Sequence, residues 1–225
     1  MIMALLEIKQ LSFESEGKKI LEDIQFTVEN GEFISITGPS GSGKSTLLKI
    51  IATILSKTSG ELIYEGRSIE QVDPVEYRKE VSYCFQSPVL FGDTVRDNLS
   101  FPYEIRQMAF DQQKATDYLG MVGLPEDYLD KPINALSGGE KQRIALIRNV
   151  LFQPKILLLD EVTSALDEEN RQIIWHWLQE MRSTTEMTIL MISHNEAEAA
   201  LADKRIRIVD GKIVHKEELQ NEFAN

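Results

Sequence analysis

The sequence predicts an α/β fold: a mostly parallel sheet with helices on both faces, an N-terminal antiparallel β region, and an inserted helical subdomain. Three observations predict it. Apolar residues alternate through Leu6/Ile8, Leu11/Phe13 and Ile24/Phe26/Val28, the period of a half-buried strand. Short apolar runs return at 155–159, 187–192 and 206–209 with helical segments between them, as expected of parallel strands buried on both faces. Residues 87–153, by contrast, carry helical segments, few strand-like runs and prolines at 88, 102, 125 and 132.

Along the chain, the alternating strands break at Asn30-Gly31, a dipeptide suited to a hairpin turn, before a strand resumes over Phe33–Thr37. After Gly43 the spacing becomes helical, with Leu47, Leu48, Ile51, Ile54 and Leu55 on one face and a stop near Ser59-Gly60. A short strand at 62–64, a turn at Gly66 and Pro74 lead to a second apolar strand at 81–85. The helical insert follows, strands return, and Asp210-Gly211 makes a final hairpin. One domain over 1–225 is expected, with 1–86 and 154–225 as its core and 87–153 as the helical subdomain.

Composition narrows the function classes. With 24 Lys+Arg against 36 Asp+Glu, the net charge is -12. Phosphate-backbone binding relies on a basic face, so no nucleic-acid partner is expected. The single cysteine, Cys84, cannot form an internal bridge and fits a reducing compartment. No stretch nears the roughly 18–20 apolar residues that span a bilayer. The run at 1–6 meets Glu7 at once, unlike a signal peptide, so a cytosolic protein is expected.

Gly38-Pro39-Ser40-Gly41-Ser42-Gly43-Lys44-Ser45 matches the phosphate-binding P-loop pattern, between a predicted strand and a predicted helix as the chemistry requires. Its glycines let backbone N–H groups close around phosphate oxygens, and the helix points its positive end at the same anion. Lys44 would neutralise phosphate oxygens, and the Ser45 hydroxyl would sit on Mg²⁺. Farther on, an apolar strand ends in Asp160-Glu161. Alone this is an ordinary strand terminus, but below a P-loop Asp160 would hold Mg²⁺ and Glu161 would activate water as a general base. His194 follows the strand at 187–192; a lone histidine there is more often structural than catalytic.

Leu136-Ser137-Gly138-Gly139-Glu140, ahead of a helix, resembles the signature of ATP-binding-cassette (ABC) nucleotide-binding domains. Other family elements stand in the family's order: the P-loop from Gly38 to Thr46, a Q-loop glutamine at Gln86, the signature, the acidic strand with Glu161, a D-loop at Ser164-Ala165-Leu166-Asp167, and a switch histidine at His194. The resemblance covers essentially the whole chain. It implies an ATPase with ATP and Mg²⁺ as cofactors: nucleotide on Gly38 to Thr46 and on Ser137, Gly138 and Gly139, metal on Ser45, Gln86 and Asp160, and catalysis by Glu161, His194 and Gln86. Ser137-x-x-Glu140 is also a capping box, so Ser137 has a structural reason to be there as well.

The resemblance further implies a homodimer in the ATP-bound state, each ATP lying between one P-loop and the opposing signature, and a separate multi-spanning membrane permease. The chain would then be peripheral, on the cytoplasmic side of the cell membrane. Where the family usually stacks an aromatic residue on adenine, this chain has Ser15; Phe13, on the same strand face, is either its substitute or core. The segment from Ser82 to Leu99 looks most like bacterial ATP-binding subunits described as iron-export ATPases. Phosphate or another solute, in either direction, is an alternative cargo, since the permease selects it. A soluble ABC ATPase acting on DNA or the ribosome is the alternative from another class. The acidic balance weighs against it, as does the interval from Lys44 to Ser137, too short for a long coiled-coil insertion.

Overall fold

The computed structural model describes residues 4–164 and 166–218. Its strands are β1 (Leu6–Ser15), β2 (Lys18–Val28), β3 (Phe33–Thr37), β4 (Ser59–Tyr64), β5 (Arg67–Ser68), β6 (Val81–Cys84), β7 (Ile156–Asp160), β8 (Thr188–Ile192), β9 (Lys204–Val209) and β10 (Lys212–Glu218). The helices are α1 (Lys44–Ile51), α2 (Pro74–Glu80), α3 (Val95–Glu104), α4 (Gln112–Met121), α5 (Gly138–Val150), α6 (Glu168–Thr185) and the single turn α7 (Glu196–Ala199). The chain divides into two compact units.

The first unit runs to Tyr83 and adds Lys155–Glu161 and the residues from Glu186 onward. One sheet is antiparallel, in the order β2-β1-β4-β5; the other, in the order β10-β9-β3-β8-β7-β6, is parallel across β9, β3, β8 and β7. Alternation along β1 sends Leu6 and Ile8 inward, an irregularity at Gln10 (φ 48°) turns Leu11 inward as well, and every residue of β7 and β8 is buried. Residues of both sheets and of α1 share one apolar core that includes Leu11, Leu21, Ile36, Leu48, Leu158 and Ile192. Three parallel strands, β3, β7 and β8, therefore end at one edge, where loops carry the P-loop, Glu161 and His194.

The structure corrects two local expectations. Asn30-Gly31 is not a hairpin, because β2 and β3 belong to different sheets; Gly31, at φ 74°, turns the chain from one sheet to the other. The hairpin lies earlier, at Glu16-Gly17, whose φ values of 50° and 74° form the primed turn that joins β1 to β2. Helix α1 stops at Ile51 rather than running on through Leu55. Thr53 takes the left-handed conformation, at φ 55°, and Ile54 N–H bonds the Lys49 carbonyl at 2.8 Å, a helix stop usually built on glycine.

The second unit comprises Cys84–Pro154 and Val162–Thr185. Thr94 caps α3 reciprocally with Asp97, and Asp111 caps α4 through Lys114 N–H. Val95, Leu99, Leu119, Ile144 and Ile147 are fully buried within it. Cys84 is buried too, and burial pushes its thiol up to about 12, as for a packed rather than a reactive cysteine. Among the described residues no helix is long and apolar enough to cross a membrane.

Candidate functional site

Gly38 follows β3 directly, with φ 139°, and a Cβ there would lie 1.9 Å from the Ile208 carbonyl oxygen. Gly43, at φ 98°, is equally confined: a Cβ would come within 2.8 Å of the Ile20 carbonyl. Both positions demand glycine for space as well as conformation. Between them Pro39, Ser40, Gly41 and Ser42 turn the chain into α1, whose first residues are Lys44, Ser45 and Thr46. Lys44 Nζ donates to the Gly38 and Pro39 carbonyls at 2.9 and 2.7 Å. Burial lowers its pKa, while the charges of Glu161 and Asp160 act to raise it. The Ser42 hydroxyl is buried without a partner, an orphan donor that bears the cost of desolvation.

Asp160, the last residue of β7, is 4% exposed. The Ser45 hydroxyl donates to its Oδ1 at 2.8 Å, and the Tyr83 hydroxyl donates to its Oδ2 at 2.5 Å. Glu161, next in the chain, sits at φ 52°, a conformation uncommon for a residue with a Cβ. Its N–H bonds the Ile192 carbonyl at 3.1 Å, and its Oε1 lies 3.0 Å from His194 Nε2. The loop that carries His194 is pinned on both sides: Ser193 Oγ bonds the buried Glu198 and accepts from Asn195 N–H at 2.9 Å, and Asn195 caps α7. The core unit therefore brings together Lys44, Ser45, Asp160, Glu161 and His194.

Gln86 and the signature belong to the helical unit. Gln86 stands two residues past β6 and is exposed. Ser137 caps α5: its N–H donates to Glu140 Oε2 at 2.6 Å, and its Oγ accepts from Glu140 N–H at 3.2 Å. A Cβ on Gly138 would meet nothing of its own chain, whereas one on Gly139 would come 3.2 Å from Leu166 Cδ2. Arg143 of α5 bonds Asn170, which in turn bonds Asp167 at 2.8 Å, so the signature helix and the D-loop are tied within this unit. Ala165 lies outside the described residues. Phe13 is half-buried and packs on the apolar core, and Ser15 is exposed.

Residues 21–164 match the family model described as ABC transporter. The chain belongs to the ABC transporter family. It is 48% identical over 204 residues to the Escherichia coli (strain K12) "Probable iron export ATP-binding protein FetA", covering 91% of each. It is 36% identical to the "Spermidine/putrescine import ATP-binding protein PotA" of Borreliella afzelii (strain PKo), covering 97% of this chain and 65% of that one. Among solved structures, a dimeric ATP-binding cassette in a post-hydrolysis state, bound to ADP and Pi, superposes with a TM-score of 0.87 at 28% identity, over 96% of this chain and 99% of that one. CbiO1 from Clostridium perfringens, part of the ABC transporter complex cbiONQ, gives a TM-score of 0.82 at 28% identity, over 96% and 88%. This chain is an ABC transporter ATPase subunit that binds and hydrolyses ATP.

Two features of the ABC site escape sequence reading. Tyr83 reads as one more apolar position of a strand, and only strand pairing brings its hydroxyl to Asp160. Glu198 sits on a helix of one turn, too short for periodicity to reveal that it is buried under Ser193.

Proposed function

We propose that this ABC ATPase powers a separate membrane permease that exports iron, as two copies that close on two ATP molecules. The observation that carries the chemistry is the convergence of the Ser45–Asp160 and Glu161–His194 pairs beside the P-loop. The orphan Ser42 hydroxyl and the folded-back Lys44 suit an incoming polyphosphate. Backbone N–H groups of the loop from Gly38 to Thr46, Pro39 excepted, and the start of α1 receive it, and Lys44 exchanges loop carbonyls for phosphate oxygens. Ser45 and Asp160 form an all-oxygen donor set of the kind that suits Mg²⁺. When bound, that ion neutralises charge on the phosphates.

Glu161 accepts a proton from the water that attacks the γ-phosphorus, as the bond from that phosphorus to the ADP oxygen breaks. His194 orients Glu161 across their 3.0 Å contact. The second copy's Ser137, Gly138 and Gly139 complete each site, where the N-terminus of α5 meets anionic charge. Gly138 supports this, being open on its own chain. No position of the set is degenerate, so both sites turn over.

For the permease, the helical unit offers exposed Phe85, Val89, Phe91, Phe101 and Ile105. Buried Asn98 and half-buried Arg148 hold this surface in shape through the Phe91 and Val89 backbone. The subunit sits on the cytoplasmic side of the membrane, peripheral to that partner. Iron export rests on the 48% identity to FetA, and the PotA relatives support import of a polyamine as the second reading. The chemistry is tested by Glu161→Gln in the assembled transporter: turnover falls about 10²- to 10⁴-fold with ATP still bound, and turnover near wild type removes Glu161 as base. Ferrous ion against spermidine as stimulators of the wild-type complex separates the cargoes.

A further inference from the structure

Asp160 is a carboxylate with both oxygens committed. Oδ1 accepts from Ser45 at 2.8 Å, from the P-loop side, and Oδ2 accepts from Tyr83 at 2.5 Å, from the neighbouring strand β6. Tyr83 is 8% exposed and sits within four residues of regular strand, so its phenol is aimed by backbone pairing and not by a mobile loop. The terminal torsion of an aspartate is broad and roughly two-fold. A single donor leaves the carboxylate plane free to turn, whereas two donors on different oxygens fix it.

The two donors are unequal in what they are free to do. A serine hydroxyl holds one proton and two lone pairs, so Ser45 is able to face a cation with a lone pair while its proton stays on Asp160. That arrangement works only if Asp160 keeps its orientation as Ser45 turns. Tyr83, remote from the P-loop in sequence and anchored in the sheet, is the donor that stays fixed.

We infer that Tyr83 is a positioning residue for the metal site, holding the Asp160 carboxylate in the orientation that receives Mg²⁺ with the nucleotide. The inference rests on the reading of Asp160 as a metal-holding residue. Tyr83 touches neither metal nor nucleotide. It acts through Asp160, and its removal leaves a buried carboxylate oxygen without its donor.

The test is titration of a fluorescent N-methylanthraniloyl ATP analogue, with Mg²⁺ varied and with metal removed by chelator, on the wild type, Tyr83→Phe and Asp160→Asn. Manganese electron paramagnetic resonance on the same samples reads the metal directly. For Tyr83→Phe, half-saturation by Mg²⁺ rises about 10- to 100-fold, the usual range for loss of a group that orients a metal ligand. Chelator-treated nucleotide affinity stays as in wild type, a split that a merely structural role would not give. Tyr83→Met, a second variant without the hydroxyl, gives the same rise, so the result does not hang on one variant folding.

A Mg²⁺ half-saturation within twofold of wild type in both Tyr83 variants, with Asp160→Asn strongly raised, overturns the role of Tyr83 alone. An unchanged Mg²⁺ requirement in Asp160→Asn overturns the metal-site reading and this inference with it. Equal losses with and without Mg²⁺ assign Tyr83 to packing and overturn it too.

Discussion

Replacing Glu140 by glutamine exposes what holds the start of the signature helix. The native carboxylate accepts from Ser137 N–H at 2.6 Å, from the Tyr128 hydroxyl at 2.7 Å and from Lys131 Nζ at 3.3 Å. Glutamine keeps the length but offers one acceptor oxygen, and its NH₂ group cannot accept from Tyr128 or Lys131. A hydrogen bond to a charged group contributes about 1.5–3 kcal/mol against about 1 for a neutral one, and a negative charge in the first helical turn adds about 0.3–1 kcal/mol. The expected loss at neutral pH is about 2 kcal/mol, or about 4–8 °C in melting temperature for a chain of this size.

The same geometry fixes the pH dependence. Burial pushes the Glu140 carboxyl up, but the Ser137 backbone, the Tyr128 and Ser137 hydroxyls and Lys131 outweigh it and hold the group at about 2, below its ordinary 4.5. A carboxyl with a depressed folded pKa contributes stability that is complete above the unfolded value and is lost as the pH falls through the folded one. Urea unfolding of wild type and Glu140→Gln is therefore expected to show the full difference at neutral pH. The difference narrows below about pH 4.5 and is largely gone near pH 2. A difference that is absent at neutral pH, or that stays constant through the acid range, refutes the assignment of these bonds.

Two other substitutions separate structure from assembly. Gly138→Ala leaves thermal stability within about 0.5 kcal/mol, because its Cβ meets nothing in its own chain, yet weakens ATP-driven pairing at least about tenfold by sedimentation. Phe101→Asp, at a residue 40% exposed and edge-on to Phe91 at 4.9 Å, keeps the fold by circular dichroism. Its co-purification with the permease falls by about tenfold or more, as for loss of an aromatic contact at an interface.

Much of this site is legible in sequence because its chemistry constrains short, contiguous segments. The P-loop needs glycines at 38 and 43 for space, and the capping box of Ser137 and Glu140 is written three residues apart. Strands β3, β7 and β8 announce themselves because burial on both faces demands continuous apolar runs. What stays hidden is what depends on pairing between distant strands or on unusual backbone. Asn30-Gly31 carries hairpin chemistry, but the two strands it joins find partners in different sheets. Thr53 ends α1 in a conformation that its residue type does not advertise. Tyr83 and Asp160 lie far apart in sequence and meet only across β6 and β7.

In the proposed mechanism two copies complete each ATP site. Size-exclusion chromatography with light scattering on Glu161→Gln, with and without ATP and Mg²⁺, tests it most directly. A nucleotide-dependent shift from monomer to dimer, abolished when Gly138→Ala is added, is the predicted result. A monomer that persists under saturating nucleotide, with binding confirmed by titration of the same sample, contradicts it.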